Sequence, residues 1–241
     1  MRATSIIYRR EVGRYLKSPI GWVIAFAALL IEGILFQAQA LSGERLSAIV
    51  LERYFYFASG IPIGCGVLLA FRLLAEERQN HSMILLNTSP IRDAEIVAGK
   101  FLAALTFMTV IFALSIYMPL LVKVNGKVTM AQIGVGYLGM FLLGSASLAI
   151  GIFASALTRH QIVAALLGLF FVLVMCFLFP LAKRLDSPVR DVLEQLDLWW
   201  IHFQNGFMRG VINLKDIVYY LAVTYFFLLL AVKTLEAKRW Q

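Results

Sequence analysis

Long apolar stretches recur along this chain, and they restrict what it can fold into more than any other feature. A helix that spans a bilayer needs about 20 consecutive apolar residues. Six such stretches are present, at residues 20–41, 54–74, 101–122, 133–157, 162–182 and 217–235. Hydrophobic residues make up 61% of the 241 residues and charged residues 15%, whereas a soluble domain carries about 25% charged residues. The sequence therefore predicts an all-α integral membrane protein, a single domain over residues 1–241 with six transmembrane helices.

The first stretch also resembles a signal peptide, because Ala38-Gln39-Ala40 looks like a cleavage site after a basic start. The apolar region of a signal peptide is about 7–15 residues long, whereas this stretch is longer and contains Glu32. We therefore interpret it as a spanning helix that is not removed. Cys65 and Cys176 lie in apolar stretches, so neither a disulfide framework nor a metal site is expected from them.

The net charge of +8 is expected of a membrane protein, since Lys and Arg collect in cytoplasmic loops. No basic run with interleaved aromatic residues resembles a nucleic-acid-binding arm, so no nucleic-acid partner is expected. Basic residues are dense before the first stretch, between the second and third, and after the sixth. With six spans these segments lie on one side of the membrane, and both termini are expected to be cytoplasmic.

Residues 1–19 are expected to form an amphipathic helix at the membrane interface. An apolar set recurs at helical spacing and a basic set lines another face, namely Tyr8, Val12, Tyr15 and Leu16 against Arg10, Arg14 and Lys17. A helix of this kind lies in the lipid headgroup layer, and Pro19 separates it from the first span. The alternative is a simple basic anchor that follows the positive-inside rule.

The connection between the fifth and sixth spans, Lys183–Asp216, contains Trp199 and Trp200. Tryptophan favours the membrane–water interface, so both side chains are expected there, on the outer side. Apolar residues around Leu196 favour a short helix that enters the outer leaflet. Such a re-entrant segment is stable only where protein or water covers its backbone.

The segment between the second and third spans, Glu76–Lys100, has polar ends around Met83-Ile84-Leu85-Leu86. Thr88-Ser89-Pro90 interrupts it, and a new helix is predicted to begin near Asp93, because acidic residues favour helix N-termini. A short helix with an apolar face in water is typical of a surface that binds a partner.

Several segments resemble those of ABC-2 exporter permeases, and within them the gliding-motility (Gld) type. The resemblance is carried by Arg10–Trp22 with its aromatic-x-x-Ser-Pro step, Glu76–Arg78, Leu85–Ile91, Glu95–Ala103, Phe207–Tyr220 and Leu235–Trp240. His81-Ser82 and Ile84 depart from the family pattern, which has Gly-Thr and a glutamate at those places.

This resemblance implies a permease subunit whose ATPase is a separate chain. Its coupling helix, which docks onto the ATPase, is expected to use Glu77, His81, Leu85, Leu86, Thr88, Ser89 and Pro90. The resemblance also implies a second permease copy (identical or not), an accessory protein with a periplasmic domain, and a bacterial inner membrane. The chain lacks the Gly-x-x-x-x-Gly-Lys-Ser/Thr loop that cradles phosphates. ATP and Mg²⁺ are therefore expected in the partner, with no catalytic residue, cofactor or metal in this chain.

Glu32 is a carboxylate deep in a predicted span, about 18 Å along the helix from Ile20. Intramembrane carboxylates are candidates for function, and with Gln37 and Gln39 it is expected to line a translocation path. The alternative is a side chain that extends outward to the interface or hydrogen-bonds a neighbouring helix. The small residues of the fourth span are expected to let helices pack closely.

Two other classes of function stay open at this point. A membrane scaffold without transport would have a similar composition, and Glu76-Glu77-Arg78 resembles the paired glutamates of certain intramembrane proteases. Such a protease needs histidines that converge with the glutamates, whereas His160 and His202 lie in predicted loops. For a permease, the sequence does not separate export from mechanical work on the cell envelope.

Overall fold

The structure is a computed structural model that describes residues 2–41, 46–79, 91–124 and 126–239. The regular elements of these residues are helices. The α-helices are α1 (Arg2–Lys17), α2 (Pro19–Leu35), α3 (Ser47–Ala58), α4 (Gly60–Gln79), α5 (Asp93–Ser115), α6 (Tyr117–Val124), α7 (Met130–Leu157), α8 (Gln161–Cys176), α9 (Leu178–Ala182), α10 (Val189–Gln195) and α11 (Leu214–Arg239). A π-helix, Phe36–Ala40, continues α2, and a second π-helix, Trp200–Gln204, precedes a 3₁₀-helix at Phe207–Arg209.

Within the described residues, five stretches of helix are long and apolar enough to cross a membrane. They are Pro19–Gln39, Ser47–Gln79, Asp93–Val124, Met130–Leu157 and Leu214–Lys238. The remaining predicted span, 162–182, corresponds to α8 and α9, and α8 has only 16 residues. The all-α class is thus confirmed for the described part of the chain, with about five long apolar helices.

Three of the predicted spans are each divided into two helices. The divisions fall at Ser59, Ile116 and Phe177, and a proline follows each of them three residues later, at Pro62, Pro119 and Pro180. Proline has no N–H, so it leaves the carbonyl four residues earlier without its helical partner. Sequence analysis did not predict these turns, although the stretches remain helical on both sides of each division.

The central helix of the bundle is α7, which packs against α4, α8 and α11. Its small residues mark the points of closest approach. A Cβ atom on Gly144 would lie 2.6 Å from the terminal methyl carbon of Met108, and one on Gly151 would lie 2.6 Å from Cβ of Ala70. The expectation that small residues of this span serve helix packing is confirmed.

The outer helices present apolar side chains that no other part of the described chain covers. Phe26 on α2, Ile162 on α8 and Tyr225 on α11 are all more exposed than buried. Such faces are unfavourable in water and are expected where lipid is the solvent. They are consistent with a protein that crosses a membrane several times.

The amphipathic helix α1 packs along α5, and Gly99 makes the close approach possible. A Cβ atom at Gly99 would lie 2.9 Å from Cγ2 of Ile7. On α1 the side against the bundle includes Glu11, which is only 1% exposed, whereas Leu16 of the predicted apolar face is 46% exposed, as a side chain that faces lipid would be. α1 therefore also has a side that contacts protein, which hydropathy alone does not predict.

Candidate functional site

The ends of α4 and α5 flank the segment that sequence analysis predicts to be a coupling helix. α4 ends at Gln79 and α5 begins at Asp93, where Glu95 Oε2 accepts the backbone N–H of Arg92 at 3.3 Å. The predicted helix start near Asp93 is therefore confirmed. The predicted docking residues between these ends lie outside the described residues, namely His81, Leu85, Leu86, Thr88, Ser89 and Pro90. The seventh, Glu77, is in the last turn of α4.

A buried ion pair joins the two helix ends. Lys100 lies in the second turn of α5, and its side chain is fully buried. Its Nζ atom is 2.9 Å from Oε1 of Glu77. The helix that leads into the predicted coupling segment and the helix that leads out of it are thus held together by one direct contact between opposite charges.

α1 binds this pair through two adjacent residues of opposite charge. Oε1 of Glu11 accepts hydrogen bonds from Nζ of Lys100 at 3.1 Å and from Nη2 of Arg10 at 2.8 Å. The same Nη2 atom of Arg10 also donates to Oε1 of Glu77 at 2.8 Å. Burial alone raises the pKa of Glu11, but the positive charges of Lys100 and Arg10 outweigh it, so the pKa is lowered. Glu11 is therefore ionised at neutral pH.

Glu76 extends the contacts along α1 and α4. Its Oε1 atom pairs with Nη2 of Arg14, and its Oε2 atom accepts a hydrogen bond from Nε of Arg72 at 3.0 Å. Three carboxylates and four cations from α1, α4 and α5 thus form one group, which we call the charge cluster. Its members are Arg10, Glu11, Arg14, Arg72, Glu76, Glu77 and Lys100.

The same end of α4 also contacts the C-terminal end of α7. Nη1 of Arg78 donates to the carbonyl oxygen of Ala156, which also accepts Nζ of Lys238 at 3.1 Å. Lys238 donates further to the carbonyl oxygen of Leu157 at 2.7 Å. Cations are stabilising at a helix C-terminus, where carbonyls lack partners. The ends of α4, α7 and α11 are therefore joined beside the charge cluster.

The geometry weighs against a protease built on Glu76 and Glu77. Both carboxylates have cationic partners, and His202 pairs with Asp216, with 2.7 Å between Nδ1 and Oδ1. No group of three or more His, Cys, Asp or Glu side chains that could hold a metal occurs among the residues that the structure describes. The convergent acid, base and metal ligands that such an enzyme needs are not brought together there.

The three residues of the predicted translocation path differ in burial. Glu32 is buried in the bundle, whereas Gln37 and Gln39, on the π-helix that follows, are exposed. Within one chain, the structure does not bring the glutamines to the carboxylate. The alternative considered for Glu32, a hydrogen bond to a neighbouring helix, is the arrangement found, since the hydroxyl of Tyr54 on α3 donates to its Oε1 atom.

The segment with the two predicted interfacial tryptophans is organised by Asp197. The fully buried carboxylate of Asp197 accepts the backbone N–H groups of Trp199 at 2.9 Å, of Trp200, and of Ile201 at 3.2 Å. Trp199 Nε1 donates to the hydroxyl of Ser59 at 2.8 Å, at the division between α3 and α4. This segment is therefore folded against the helices, and Asp197, which sequence analysis did not single out, fixes its backbone.

Sequence analysis named several members of the charge cluster but none of the pairs between them. Two signals were available. Glu11 is the one acidic residue in α1, and Lys100 stands inside the apolar run from Ala98 to Ala103. Neither signal identifies the partner, because the pairs join residues that are far apart in sequence. Arg10 and Glu77, for example, are 67 residues apart.

Comparison with known protein families gives one finding for this chain. A family model described as "ABC-2 family transporter protein" matches residues 5–196. The match includes most of α1, the end of α4 and the start of α5, and thus every residue of the charge cluster. No curated protein matches the chain.

Proposed function

The chain belongs to the ABC-2 family of transporter proteins, and from that premise we propose that residues 80–90 dock onto an ABC ATPase and that the charge cluster transmits the movement. Family membership makes the chain a multi-pass membrane protein and the permease component of an ABC transporter. It also implies an ABC ATPase as partner and a paired permease.

The observation that carries the proposal is the contact of Lys100 with both Glu77 and Glu11. Separating buried opposite charges is costly, because each is left in a medium of low polarity without compensation. A force on residues 80–90 therefore moves the end of α4, the start of α5 and α1 together. α4 and α5 then act as levers that carry the movement into the membrane.

The remaining features of the proposal follow from the sequence. The chain has no phosphate-binding loop, so the ATPase partner binds ATP and Mg²⁺. We assign both termini to the cytoplasm of a bacterial cell and the protein to its inner membrane, with six spans, of which α8 and α9 together form the short fifth. The gliding-type motifs support a homodimeric or heterodimeric pair that exports a substrate or works mechanically on the envelope, with an accessory periplasmic protein.

Copurification tests the docking surface. The chain is expressed with a candidate ABC ATPase, and the amount of ATPase recovered and its ATP turnover in liposomes are measured. Leu85→Asp places a charge on the proposed docking face, so we expect loss of the ATPase and of its stimulation. Leu214→Asp is the matched control, because Leu214 is 75% exposed at the other end of the bundle.

Leu85→Asp protein that binds and stimulates the ATPase as the control does would contradict the proposal. A scaffold that anchors proteins without transport predicts a third pattern, in which the ATPase binds but its turnover is the same with and without the permease. The two measurements together therefore separate the permease from the scaffold.

Thiol labelling tests the orientation independently. Cys65 and Cys176 are buried, so they give little background with a membrane-impermeant thiol reagent. Ser89→Cys is expected to react in inside-out vesicles and not in right-side-out spheroplasts. Reaction in spheroplasts would place the segment outside the cell and reject the docking proposal altogether.

A further inference from the structure

Glu32 is a carboxylate in α2 with no basic side chain beside it in the part of the chain that the structure describes. It is 1% exposed, and its Oε1 atom is 2.6 Å from the hydroxyl of Tyr54. Its Oε2 atom is buried and has no hydrogen-bond partner among the described residues. An uncompensated carboxylate at this depth is costly to keep ionised.

The ionisable groups around Glu32 are weak acids. They are Tyr54 on α3, Cys65 on α4 and Tyr137 on α7, while α5 contributes the hydroxyl of Ser115. α1 meets α2 at its other end, where Tyr15 faces Gly21. The described surroundings therefore offer hydroxyl groups, and they offer no cation to balance a negative charge.

These hydroxyl groups form a continuous chain across four helices. The Tyr54 hydroxyl is 2.8 Å from that of Tyr137, which is 2.9 Å from Oγ of Ser115. Oγ of Ser115 in turn is 3.0 Å from the carbonyl oxygen of Phe112, to which it can donate. The chain begins at a carboxyl group and ends at a backbone acceptor.

The number of protons limits the hydrogen bonds in this chain. Each hydroxyl has one proton to donate. With Glu32 ionised, three hydroxyl protons serve four contacts, so one contact, such as that with the carbonyl of Phe112, is left without a proton. With Glu32 protonated, all four contacts have a proton, and every donation runs from Glu32 towards the carbonyl of Phe112. The protonated state makes one more hydrogen bond with the same atoms.

We propose that Glu32 is a proton-binding site and that a bound proton aligns the donations from Glu32 through Tyr54, Tyr137 and Ser115 to the carbonyl of Phe112. The added proton resides on Glu32 and is donated to the Tyr54 oxygen. No other bond is made or broken, since the remaining hydroxyl groups rotate. The site joins α2, α3, α5 and α7 in the bundle through a chemistry that depends on pH.

The local backbone adds a second observation. The π-helix Phe36–Ala40 begins four residues after Glu32, and the N–H of Phe36 donates to the carbonyl of Glu32. The ring of Phe36 also meets the ring of Tyr54 edge to face, with 5.8 Å between centroids. Single π-turns within helices are frequent at functional sites. Tyr54 therefore contacts α2 both at the carboxyl group and at the irregular turn.

In a permease that moves as proposed above, separation of α2 from α3 would break the Tyr54–Glu32 contact and release the proton. This consequence rests on the proposed function, whereas proton binding does not. The test therefore uses the purified full chain in liposomes, with no ATPase present, so that a failure of coupling leaves its result unchanged.

Infrared difference spectroscopy across a pH titration measures the proton directly. We expect a carbonyl band of a protonated carboxylic acid that shifts in D₂O, is lost in Glu32→Gln, and appears as the pH is lowered. Tyr54→Phe removes the acceptor of the acid proton, so it should shift the same band. Glu52→Gln, at a partly exposed acid paired with Arg209, is the matched control and should leave the band in place.

Absence of a Glu32-dependent acid band at every pH at which the chain stays folded would overturn the proposal, because Glu32 would then remain ionised. A band that Tyr54→Phe leaves at the same frequency would overturn the hydroxyl chain. Should Glu32→Gln fail to fold, the Tyr54→Phe shift still decides, since only the acid bonded to Tyr54 responds to that change.

Discussion

Replacing Lys100 with methionine removes one cation from the charge cluster and keeps most of the side-chain volume. Nζ of Lys100 lies 3.1 Å from Glu11 and 2.9 Å from Glu77, and both carboxylates are themselves buried. Arg10 still contacts both of them, although its side chain is half exposed. The variant therefore removes the one fully buried cation of the cluster, and the contacts of the two carboxylates that remain include Arg10 for both and, for Glu11, Arg14 at 3.9 Å.

The expected loss follows from the interactions that Lys100 makes. At an effective dielectric constant of about 20, two unit charges about 3 Å apart attract by roughly 5–6 kcal/mol. The desolvation of Lys100 in the folded state offsets part of this attraction for each of its two pairs. Breaking a buried pair by removing one partner typically costs about 3–5 kcal/mol. We expect Lys100→Met to lower the free energy of unfolding by that amount.

A double-mutant cycle separates loss of charge balance from loss of packing. Glu11→Gln in the Lys100→Met background removes one of the two carboxylates that have lost Lys100, so it should recover at least half of the loss. The measurement is reversible unfolding in mixed micelles, followed by tryptophan fluorescence. Lys233→Met is the matched control, because Lys233 pairs with Glu236 on the surface and should give no measurable change.

Two results would refute this reasoning. If Lys100→Met were as stable as the control, the ion pairs would contribute nothing and the cluster would not join the helices. If the losses of Glu11→Gln and Lys100→Met were simply additive, the two side chains would not interact in the folded protein.

Three further predictions concern the same region. Gly99→Leu should lower stability by about 1–3 kcal/mol through overpacking against Ile7, measured by the same unfolding assay; an unchanged value would mean that α1 does not dock on α5. The pKa of Glu11 lies below its ordinary 4.5 in the folded state, so its contribution is present above that pH and is lost as the pH falls through the folded-state value. Glu11→Gln should therefore make the melting temperature fall less steeply as the pH is lowered into the acid range. The same steepness in the variant and the parent chain would contradict this assignment. Ser155→Ala removes the hydroxyl that accepts Leu74 N–H at 3.1 Å; it should cost about 1–3 kcal/mol, and equal stability of the variant would argue against the bond.

The long apolar helices were predictable, because lipid requires an apolar helix of a certain length wherever the chain crosses it. The turns that divide some of them were not predicted, although the signal was present. Pro62, Pro119 and Pro180 each interrupt the hydrogen-bond ladder, yet they count as ordinary residues when a stretch is judged by hydropathy. The break at Phe177 also uses a partner from elsewhere, since Asp197 accepts the N–H of Phe179 at 3.3 Å.

The charge cluster was less predictable than the fold. Sequence analysis used the arginines of the cluster to orient the chain in the membrane. It used Glu76-Glu77-Arg78 as a family motif. Pairing, however, depends on α1 docking along α5, and that depends on Gly99 and on the buried position of Ile7. Contacts between helices that are far apart in sequence depend on how the helices pack. Hydropathy and residue spacing do not predict that packing.

The cluster gives α1 a contact that neither interpretation of this helix contains. An amphipathic interfacial helix and a simple basic anchor both place cations towards the headgroups, and neither needs a buried carboxylate such as that of Glu11. Its burial between Lys100 and Arg10 fixes α1 to α5 by specific pairing. Lys100 also contacts Glu77 at the end of α4, so a movement of that end relative to α1 and α5 would separate buried opposite charges, which is costly. A basic helix without a carboxylate at this position could still lie at the headgroups, but it would leave Lys100 without one of its two partners.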